Sequence, residues 1–422
     1  MPVVKGTKDI LFPESEKWHQ LFRLVRQRYT CYGYQEMVTP IIEYSELFKR
    51  SIGDFTDIVQ KEMFVFQDRK GREICLRPEG TASIIRAYIE NNLAFLPGVK
   101  KIFYFGPMFR AERPQKGRYR QFTQFGTEAI GSDSPLLDAE VIKMNLELFQ
   151  KMGLNELDVV INSVGCRTCN KDYLIALKKF LHSKKQHLCE DCKIRSEKNP
   201  LRVFDCKVPD CRKVYEKAPV IIDFLKDDCH GHFENLKKHL DALDVTYKID
   251  PKLVRGFDYY TKTVFEITSG SLGSQNAILG GGRYDYLVEQ MGGKSTPAVG
   301  AAAGVERLLL VLEESGQLKD INNELTVYVT LMENIPDPVF LDLVMFLRQK
   351  DIKTLSGFSR RSLKAQLNEA NNLKADYAVI LGEDELKEKS LTIRNMKSST
   401  QEKIKITDWH NPVELMNKLQ GG

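Results

Sequence analysis

The sequence predicts an α+β protein in which a mixed, mostly antiparallel sheet carries a helical, cysteine-rich insertion and is followed by a small α/β domain. Two apolar runs, 102–109 and 121–130, flank a polar stretch, as in an antiparallel hairpin with a long loop. Seven of the nine cysteines lie between Cys166 and Cys229. From Leu325 onward, short apolar runs alternate with helical patterns, which is typical of parallel strands. We therefore expect a first domain over 1–320, an inserted module over 166–250 and a C-terminal domain over 325–422.

The size and composition are typical of a multidomain soluble protein. A chain of 422 residues is too long for one compact core, and 42% hydrophobic and 28% charged residues are ordinary fractions. The formal net charge of +5 permits a polyanionic partner without requiring one. No run reaches the roughly 18 apolar residues of a membrane span, and the first residues lack a secretory signal pattern. An odd number of cysteines without a signal indicates a reducing compartment, so we expect a cytoplasmic protein without membrane contact.

Hydrophobic periodicity and helix breakers predict the other elements. The extended run 34–42 contains Pro40, which belongs at a sheet edge, a bulge or an interface. A second hairpin is predicted over 62–66 and 73–77. The predicted helices are 14–32, 82–90, 138–152, 339–349 and 363–372, and the other predicted strands are 157–162, 325–331, 352–355 and 377–381.

The central hairpin carries polar chemistry on one face. Side chains two apart share a side of a strand, so Phe122, Gln124 and Glu128 point together. Arg110 and Glu112 share a face at the end of the first strand. A solvated sheet face would explain the pattern, but these groups also suit a ligand platform: a guanidinium for a phosphate, a ring for a base and carboxylates for amines.

The stretch FRAERPQKGRYRQFTQFGTEAIG resembles motif 2 of class II aminoacyl-tRNA synthetases, in the form found in the histidyl-tRNA synthetase family. The resemblance implies a ligase that activates L-histidine with ATP and Mg²⁺ to histidyl-adenylate and then transfers histidine to the 3′ end of tRNA(His). It implies a catalytic first domain with the class II synthetase fold and an anticodon-binding C-terminal domain. The Pro40 segment is similar to motif 1, which builds the dimer interface in this family, so a homodimer is implied.

The same resemblance implies an ATP site. Arg110 would contact the α-phosphate, Phe122 would stack under adenine, and Glu112 would lie where the adenine amino group is read. PAVGAAAGVERLLLVLEE is similar to motif 3, whose arginine, here Arg307, holds the γ-phosphate. Arg307 falls in the first turn of a predicted helix, where the helix dipole disfavours a cation, which also indicates an anionic partner. The cations of the hairpin loop suit phosphates of ATP and the tRNA acceptor end; they are Arg113, Lys116, Arg118 and Arg120.

The histidine site is implied by two further segments. RPEGT, 77–81, resembles the family segment that binds the α-amino group, which implicates Glu79, Gly80 and Thr81. An N-cap role is the structural alternative for Thr81. We expect Glu128 and the Tyr260 hydroxyl each to pair with one ring nitrogen of histidine. The remaining expected contacts are Gln124 at the carboxylate region, Tyr259, Arg110 and Arg255.

LVRGFDYYTKTVFEI resembles a peptide that distinguishes histidyl-tRNA synthetases from other class II enzymes. In the family its arginine, here Arg255, lies between the histidine carboxylate and the α-phosphate, a place that other class II enzymes give to a metal ion. Arg255 and Arg110 are therefore the expected catalytic residues. A second such peptide, GGGRYDYLVEQMGG, begins with three glycines that let backbone approach a ligand closely, although a flexible turn would also explain them.

The insertion contains two CxxC pairs, Cys166/Cys169 and Cys189/Cys192, separated by nineteen residues. This spacing is typical of a four-cysteine zinc site, which would be structural because four thiolates leave no open position. We expect these four residues to bind one zinc ion, with Cys206 and Cys211 as possible substitutes. Free thiols buried as small hydrophobic side chains are the alternative.

Two other functions fit parts of the pattern. One is the regulatory subunit of ATP phosphoribosyltransferase, a non-catalytic relative that binds histidine; the full set of Arg110, Arg255 and Arg307 and the C-terminal domain argue against it. The other is a class II synthetase for another amino acid, against which Arg255 followed by Tyr259 and Tyr260 argues. In the C-terminal domain, Arg360, Arg361 and Lys364 are candidates for phosphate contact, and a solvated helix start explains them equally well.

Overall fold

The structure of the chain, a computed structural model, describes residues 1–53, 56, 58–115, 117–206, 208–270, 277–317 and 325–420. Lys116 of the hairpin loop lies outside these residues. The chain divides into two compact units, Met1–Lys319 and Asp320–Gly422. Among the helices of the described residues, none is both long and apolar enough to cross a membrane.

The first unit combines strands and helices. Its strands are β1 (Gln35–Glu36), β2 (Ile42–Tyr44), β3 (Val65–Gln67), β4 (Glu73–Leu76), β5 (Lys100–Phe109), β6 (Gln121–Ile130), β7 (Leu157–Ser163), β8 (Tyr247–Ile249), β9 (Thr261–Ser269), β10 (Ala277–Arg283) and β11 (Ala298–Gly304). Its helices are α1 (Glu14–Cys31), α2 (Ser45–Ile52), α3 (Thr81–Glu90), α4 (Pro135–Lys151), α5 (Arg167–Ser183), α6 (Glu190–Lys198), α7 (Pro209–Tyr215), α8 (Asp227–Ala242), α9 (Leu287–Gln290) and α10 (Val305–Glu314).

The first unit is built on an eight-stranded sheet with the order β1-β5-β6-β11-β10-β9-β7-β8. Neighbouring strands run antiparallel except β1 with β5 and β7 with β8, which are parallel. The predicted mixed, mostly antiparallel sheet is therefore confirmed. A smaller sheet, β2-β4-β3, contains the second predicted hairpin.

The central hairpin lies inside this sheet. β5 and β6 pair from Lys100 opposite Ile130 to Phe109 opposite Gln121, so the predicted hairpin is confirmed. Phe125 of β6 is fully buried and packs with Tyr29 and Phe103 in the main core. The alternate residues of β6 point to the other side of the sheet, away from that core.

The extended run predicted over 34–42 is interrupted. It forms two short strands, β1 and β2, on either side of Pro40, which has no N–H to give to a ladder. The buried guanidinium of Arg77 takes the place of backbone pairing here: its Nη1 donates to the carbonyl oxygen and the hydroxyl of Thr39, both at 2.9 Å. Its Nε donates to the carbonyl of Pro107 at 2.9 Å. One side chain thus fixes this segment and β5 around the start of α3.

A buried ion pair holds the glycine-rich strand. Arg283, at the end of β10, is fully buried and donates through Nε to Asp138 Oδ1 of α4 at 3.1 Å. Its Nη1 donates to the Ser132 carbonyl at 2.8 Å. A buried charge needs partners of this kind, because desolvation without them is costly. β10 is thereby anchored against the helical layer.

The insertion is helical, as predicted. Helices α5, α6 and α7, the start of α8 and several short 3₁₀ turns, including Pro200–Asp205, pack around a core of their own. That core combines Tyr173, Leu177 and Val203 with cysteines.

The second unit confirms the predicted β-α-β-α-β order and adds to it. Its strands are β12 (Thr326–Val329), β13 (Lys353–Leu355), β14 (Tyr377–Ile380), β15 (Ser390–Asn395) and β16 (Gln401–Lys405), and its helices are α11 (Asp337–Gln349), α12 (Leu363–Asn372), α13 (Glu383–Lys387) and α14 (Val413–Gln420). The sheet order is β13-β12-β14-β15-β16. The first three strands are parallel to one another, β15 is antiparallel to β14, and β16 is antiparallel to β15. β15 and β16 were not predicted, since β16 is mostly exposed and carries little apolar pattern.

Candidate active site

A cavity of about 1190 Å³ opens on the face of the large sheet opposite the main core. Its lining comes from segments that are far apart in sequence. Arg110, Arg255 and Arg307 all line it, so the three predicted guanidinium groups share one cavity. The other predicted site residues in the lining are Glu79, Thr81, Glu112, Arg118, Phe122, Gln124, Tyr259 and Tyr260.

Arg110 directly follows β5 and lies beside the predicted adenine platform. Its guanidinium is 5.2 Å from the ring centroid of Phe122, and its Nε donates to the Pro78 carbonyl at 3.0 Å. Burial lowers the pKa of Arg110, and the Glu112 carboxylate nearby acts in the opposite direction. A buried cation whose pKa is lowered by desolvation is stabilised when an anion binds beside it.

The loop and α10 bring two more cations to the same end of the cavity. Arg118 Nη1 donates to Glu112 Oε2 at 3.1 Å. Arg307 lies in the first turn of α10, as predicted, and donates to the Ala277 carbonyl at 3.0 Å. Burial, and then the neighbouring Arg118, lower the pKa of Arg307. This end of the cavity thus concentrates positive charge.

Arg255 lies in the segment before β9 and forms an ion pair with Glu266 of that strand. Burial acts to lower its pKa, but the charge of Glu266 and the neighbouring Tyr260 raise it overall. Its Nε is buried and has no hydrogen-bond partner among the described residues. A Cβ at Gly280 would collide with this guanidinium, so the first glycine of the GGG run makes room for Arg255.

Glu79 is held by the N-terminus of α3. Its carboxylate accepts from the backbone N–H of Thr81 at 2.6 Å and of Ala82 at 2.8 Å. The structural alternative of an N-cap at Thr81 is therefore wrong: Gly80 is at the N-cap position, packed against the Tyr104 ring, and Glu79 caps the helix. Burial raises the pKa of Glu79.

Glu128 is fully buried just beneath the lining. The Thr81 hydroxyl donates to its Oε1 at 2.7 Å, and the Tyr284 hydroxyl donates to its Oε2. Burial raises the pKa of Glu128 to about 8. A Cβ at Gly300 of β11 would collide with Oε2, so the carboxylate lies directly against the backbone of the neighbouring strand.

Tyr259 and Tyr260 both line the cavity, as expected, although they are neighbours in sequence. A regular strand from Tyr259 onward would place the two rings on opposite faces. Instead β9 begins at Thr261, Lys262 has a φ of +48°, and the pairing of β9 with β10 shifts between Gly282 and Arg283. This bulge lets both rings pack on one side, with centroids 4.7 Å apart.

One predicted lining residue and two that were not predicted complete the description of the cavity. Gln124 Oε1 is buried and has no partner among the described residues, so an acceptor is left over in the cavity. Tyr284 and Glu266 were not predicted as site residues, although both lie in the two segments that carry the resemblance. Glu266 was detectable, because a carboxylate two positions after Val264 in a buried strand needs a cation. Nothing in the local pattern distinguishes Tyr284 from a core tyrosine.

The cysteines do not form the predicted set. The Sγ atoms of Cys189, Cys192, Cys206 and Cys211 lie within 4.8 Å of one another, and those of Cys166, Cys169 and Cys229 form a separate group of the same compactness. The two CxxC pairs are thus divided between two groups, which corrects the joint ligand set of Cys166, Cys169, Cys189 and Cys192. The chain from 170 to 188, largely the long helix α5, separates the pairs in space.

Comparisons with known proteins identify the family of the chain. The family model described as histidyl-tRNA synthetase matches residues 6–308, and the anticodon binding domain model matches residues 326–414. A histidine–tRNA ligase of Halothermothrix orenii is 46% identical over 416 residues, with 98% of each chain covered. One of Thermodesulfovibrio yellowstonii is 47% identical over 399 residues, with 94% of each covered.

Among solved structures, apo histidyl-tRNA synthetase of S. aureus superimposes with a TM-score of 0.82 at 35% identity, covering 100% of this chain and 99% of that one. The class II fold expected from the sequence is thereby confirmed. With a family model over most of its length and full-length relatives at this identity, the chain belongs to the histidyl-tRNA synthetase family.

Proposed function

We propose that the cavity is where this histidine–tRNA ligase joins L-histidine to the AMP part of ATP, with release of pyrophosphate, before histidine passes to tRNA(His). The observation that carries the proposal is the convergence of Arg110, Arg255 and Arg307 on one cavity that also holds paired carboxylates and tyrosines. Three cations suit a triphosphate, and hydrogen-bonding groups at the other end suit an amino acid with a polar ring.

At the ATP end, the charged side chains have hydrogen-bond partners that they can exchange for ATP. Arg110 contacts the α-phosphate and Arg307 the γ-phosphate, and Phe122 stacks under adenine. Glu112 reads the adenine amino group, which requires it to exchange its bond to Arg118 for one to the base. Arg118 is then released toward the phosphates. Mg²⁺ would accompany the triphosphate, and Glu62 is a lining carboxylate of the kind that would bind it.

The histidine end consists of preformed hydrogen bonds. Glu79 and Thr81, positioned by Gly80 at the start of α3, receive the α-amino group. Glu128 and Tyr260 pair with the two ring nitrogens, and Tyr259 packs beside the ring. The free Gln124 acceptor lies toward the carboxylate region of the substrate. A site of this kind rejects other amino acids, because its buried polar groups would be left unpaired.

Arg255 supplies the chemistry. A carboxylate oxygen of histidine attacks the α-phosphorus, the bond to the bridging oxygen breaks, and pyrophosphate leaves. Two anions must approach each other in this step, and Arg255 with Arg110 neutralises them and stabilises the pentavalent phosphorus. In the second step the terminal ribose hydroxyl of tRNA attacks the activated carbonyl, and AMP leaves.

The remaining assignments concern assembly and setting. The first domain, 1–320, is catalytic, and the second, 325–422, binds the anticodon. The chain acts as a cytoplasmic homodimer: the segment around Pro40 and its small sheet expose apolar side chains in the monomer, with Val38 at 80% exposure. They include Ile41, Ile42, Tyr44, Val65 and Phe66. Within the insertion, Cys189, Cys192, Cys206 and Cys211 bind a structural zinc ion.

Histidine-dependent ATP–pyrophosphate exchange tests the proposal. We expect exchange with histidine and none above background with the other amino acids. Absence of exchange with every amino acid would leave a histidine-binding regulator, and exchange stimulated by another amino acid would show that the specificity assignment is wrong.

A further inference from the structure

The insertion builds one wall of the active-site cavity. Helix α6 and the 3₁₀ turn Pro200–Asp205 that follows it contribute lining residues from 191 to 204. They include Ile194, Arg195, Lys198, Asn199, Arg202 and Phe204. The insertion is therefore part of the cavity, and not a remote appendage.

This wall forms hydrogen bonds with the segment from Arg255 to Tyr260, which carries part of the proposed histidine site. Arg202 Nη2 donates to Asp258 Oδ1 at 2.8 Å, and Asn199 Nδ2 lies 3.2 Å from both carboxylate oxygens of Asp258. Asp258 precedes Tyr259 and Tyr260 directly and follows Arg255 by three residues. A Cβ at Gly53 would approach Asp258 Oδ2 to 2.9 Å, so the carboxylate is confined from the other side as well.

Both ends of the wall meet at one cysteine cluster. Cys189 directly precedes α6, Cys192 lies in its first turn, and Cys206 directly follows the 3₁₀ turn. Cys211 of α7 completes the group. Four sulfurs arranged tetrahedrally around zinc would be about 3.8 Å apart, from Zn–S bonds of about 2.3 Å. The Sγ atoms of Cys189 and Cys206 are 3.9 Å apart, and the Cys189 N–H donates to Cys211 Sγ at 3.2 Å.

We propose that a zinc ion held by Cys189, Cys192, Cys206 and Cys211 positions the segment from Arg255 to Tyr260. The ion would do so by closing the loop whose Asn199 and Arg202 hold Asp258. The inference rests on the proposed function, since it takes the cavity as the site of adenylate formation. Arg202, Asn199 and Asp258 are positioning residues: they act through Tyr259, Tyr260 and Arg255.

The physical effect of the metal is conformational restriction. Cross-linking both ends of a short loop removes conformations that the metal-free chain can adopt. Without the ion, the wall and its hold on Asp258 loosen, and the tyrosines lose their fixed place. The proposed adenine contact, Phe122, lies on β6. The contacts of Asn199 and Arg202 with Asp258 do not connect the cysteine cluster to that strand. Histidine binding and turnover are therefore expected to depend on zinc more strongly than ATP binding.

Metal content and exchange kinetics, measured on the same full-length preparations, test the inference. We expect about one zinc ion per chain in the wild type and in Cys166→Ser, which removes a thiol of the other group, and a loss of the ion in Cys211→Ser. Arg202→Ala keeps the zinc. Cys211→Ser and Arg202→Ala both raise the histidine KM by roughly ten- to a hundredfold, with the ATP KM changed far less. Arg202→Lys, which retains the positive charge but not the planar guanidinium, recovers part of the loss.

A double-mutant cycle separates coupling from general damage. If zinc acts through Arg202 and Asp258, Cys211→Ser adds little to the histidine KM of Arg202→Ala. Chelation of zinc gives a second measurement that needs no cysteine variant: it raises the histidine KM of the wild type and leaves that of Arg202→Ala nearly unchanged. Cobalt substitution reports on the site itself, through thiolate-to-cobalt charge-transfer absorption that Cys211→Ser abolishes and Cys166→Ser retains.

Three results would overturn the inference: a wild type without metal, a loss of metal in Cys166→Ser as complete as in Cys211→Ser, or additive effects in the cycle. Each is distinguishable from failure of the proposed function. In that case the wild type itself would show no histidine-dependent exchange, whatever its zinc content.

Discussion

The two ends of the cavity are organised differently. At the ATP end, the cations have replaceable partners, such as Glu112 on Arg118 and backbone carbonyls on Arg110 and Arg307. At the histidine end, Glu128 is fixed by two hydroxyl groups and Glu79 by two backbone N–H groups. In the proposed assignment, a nucleotide used by many proteins is held by charge, whereas the amino acid that must be distinguished meets a preformed buried network. The difference separates affinity from selectivity.

We propose that Arg255 acts between the two ends, and its removal should have the largest effect. We expect Arg255→Ala to lower kcat of adenylate formation by roughly 100- to 1000-fold with little change in either KM, because the group acts mainly on the transition state. Arg255→Lys should recover little, since an ammonium lacks the planar fork. Single-turnover adenylate formation measures it. The control is Arg86→Ala, which removes the ion pair between Arg86 and Glu43 outside the cavity lining. A near-normal kcat in Arg255→Ala would refute the assignment.

Glu128 should set both the strength and the pH dependence of histidine binding. Its pKa of about 8 means that the empty site carries a proton below this pH. A bound pair of Glu128 and imidazole that shares one proton needs no exchange with solvent between about pH 6.5, where free histidine becomes neutral, and pH 8. Above pH 8 the proton must be taken from solvent, so affinity falls as pH rises.

Calorimetry of histidine binding between pH 7 and 9 checks this. Glu128→Gln should weaken binding by roughly 30-fold or more at pH 7, since one partner of a buried charged pair is lost. The variant should also lose the decline that begins near pH 8 and keep only the titration of the free amino group, which both proteins share. Identical pH profiles for the two proteins would contradict the role of Glu128.

Tyr284 should affect histidine alone. Tyr284→Phe removes the hydroxyl that holds Glu128 Oε2, and we expect the histidine KM to rise roughly tenfold, for about 1.4 kcal/mol, while the ATP KM stays within twofold. The exchange assay with each substrate varied in turn gives both constants. The control is Tyr29→Phe, which loses a buried bond to Asn145 in the core. Equal increases in both KM values would erase the proposed distinction between the two ends.

Phe122 should give the smallest effect, on ATP alone. Phe122→Leu retains apolar bulk but removes the face on which adenine stacks, and we expect the ATP KM to rise roughly fivefold, for about 1 kcal/mol. The histidine KM should be unaffected. Phe358→Leu, an exposed ring in the second unit, is the matched control. A larger effect on histidine than on ATP would reverse the assignment of the two ends.

The sequence predicted well the secondary-structure elements that local interactions determine. The β5–β6 hairpin and α12 were predicted almost to the residue, because period and helix-start signals fix them. The grouping of the cysteines was wrong, since spacing along the chain does not reveal that α5 keeps the two CxxC pairs apart. The common orientation of Tyr259 and Tyr260 depends on a bulge at Lys262, whose positive φ no residue preference announces. Tyr284 needed the pairing of β10 with its neighbours before its hydroxyl could be connected to Glu128.

Gly280 and Gly300 have a consequence for redesign of this pocket. At each position a Cβ would collide with a side chain of the proposed site, Arg255 at Gly280 and Glu128 at Gly300. Smaller residues than glycine do not exist, so these two positions cannot supply extra volume for a bulkier ring. A variant enzyme that accepts an enlarged histidine analogue would have to gain its space by trimming Tyr259 or another aromatic wall residue, with the sheet floor left intact.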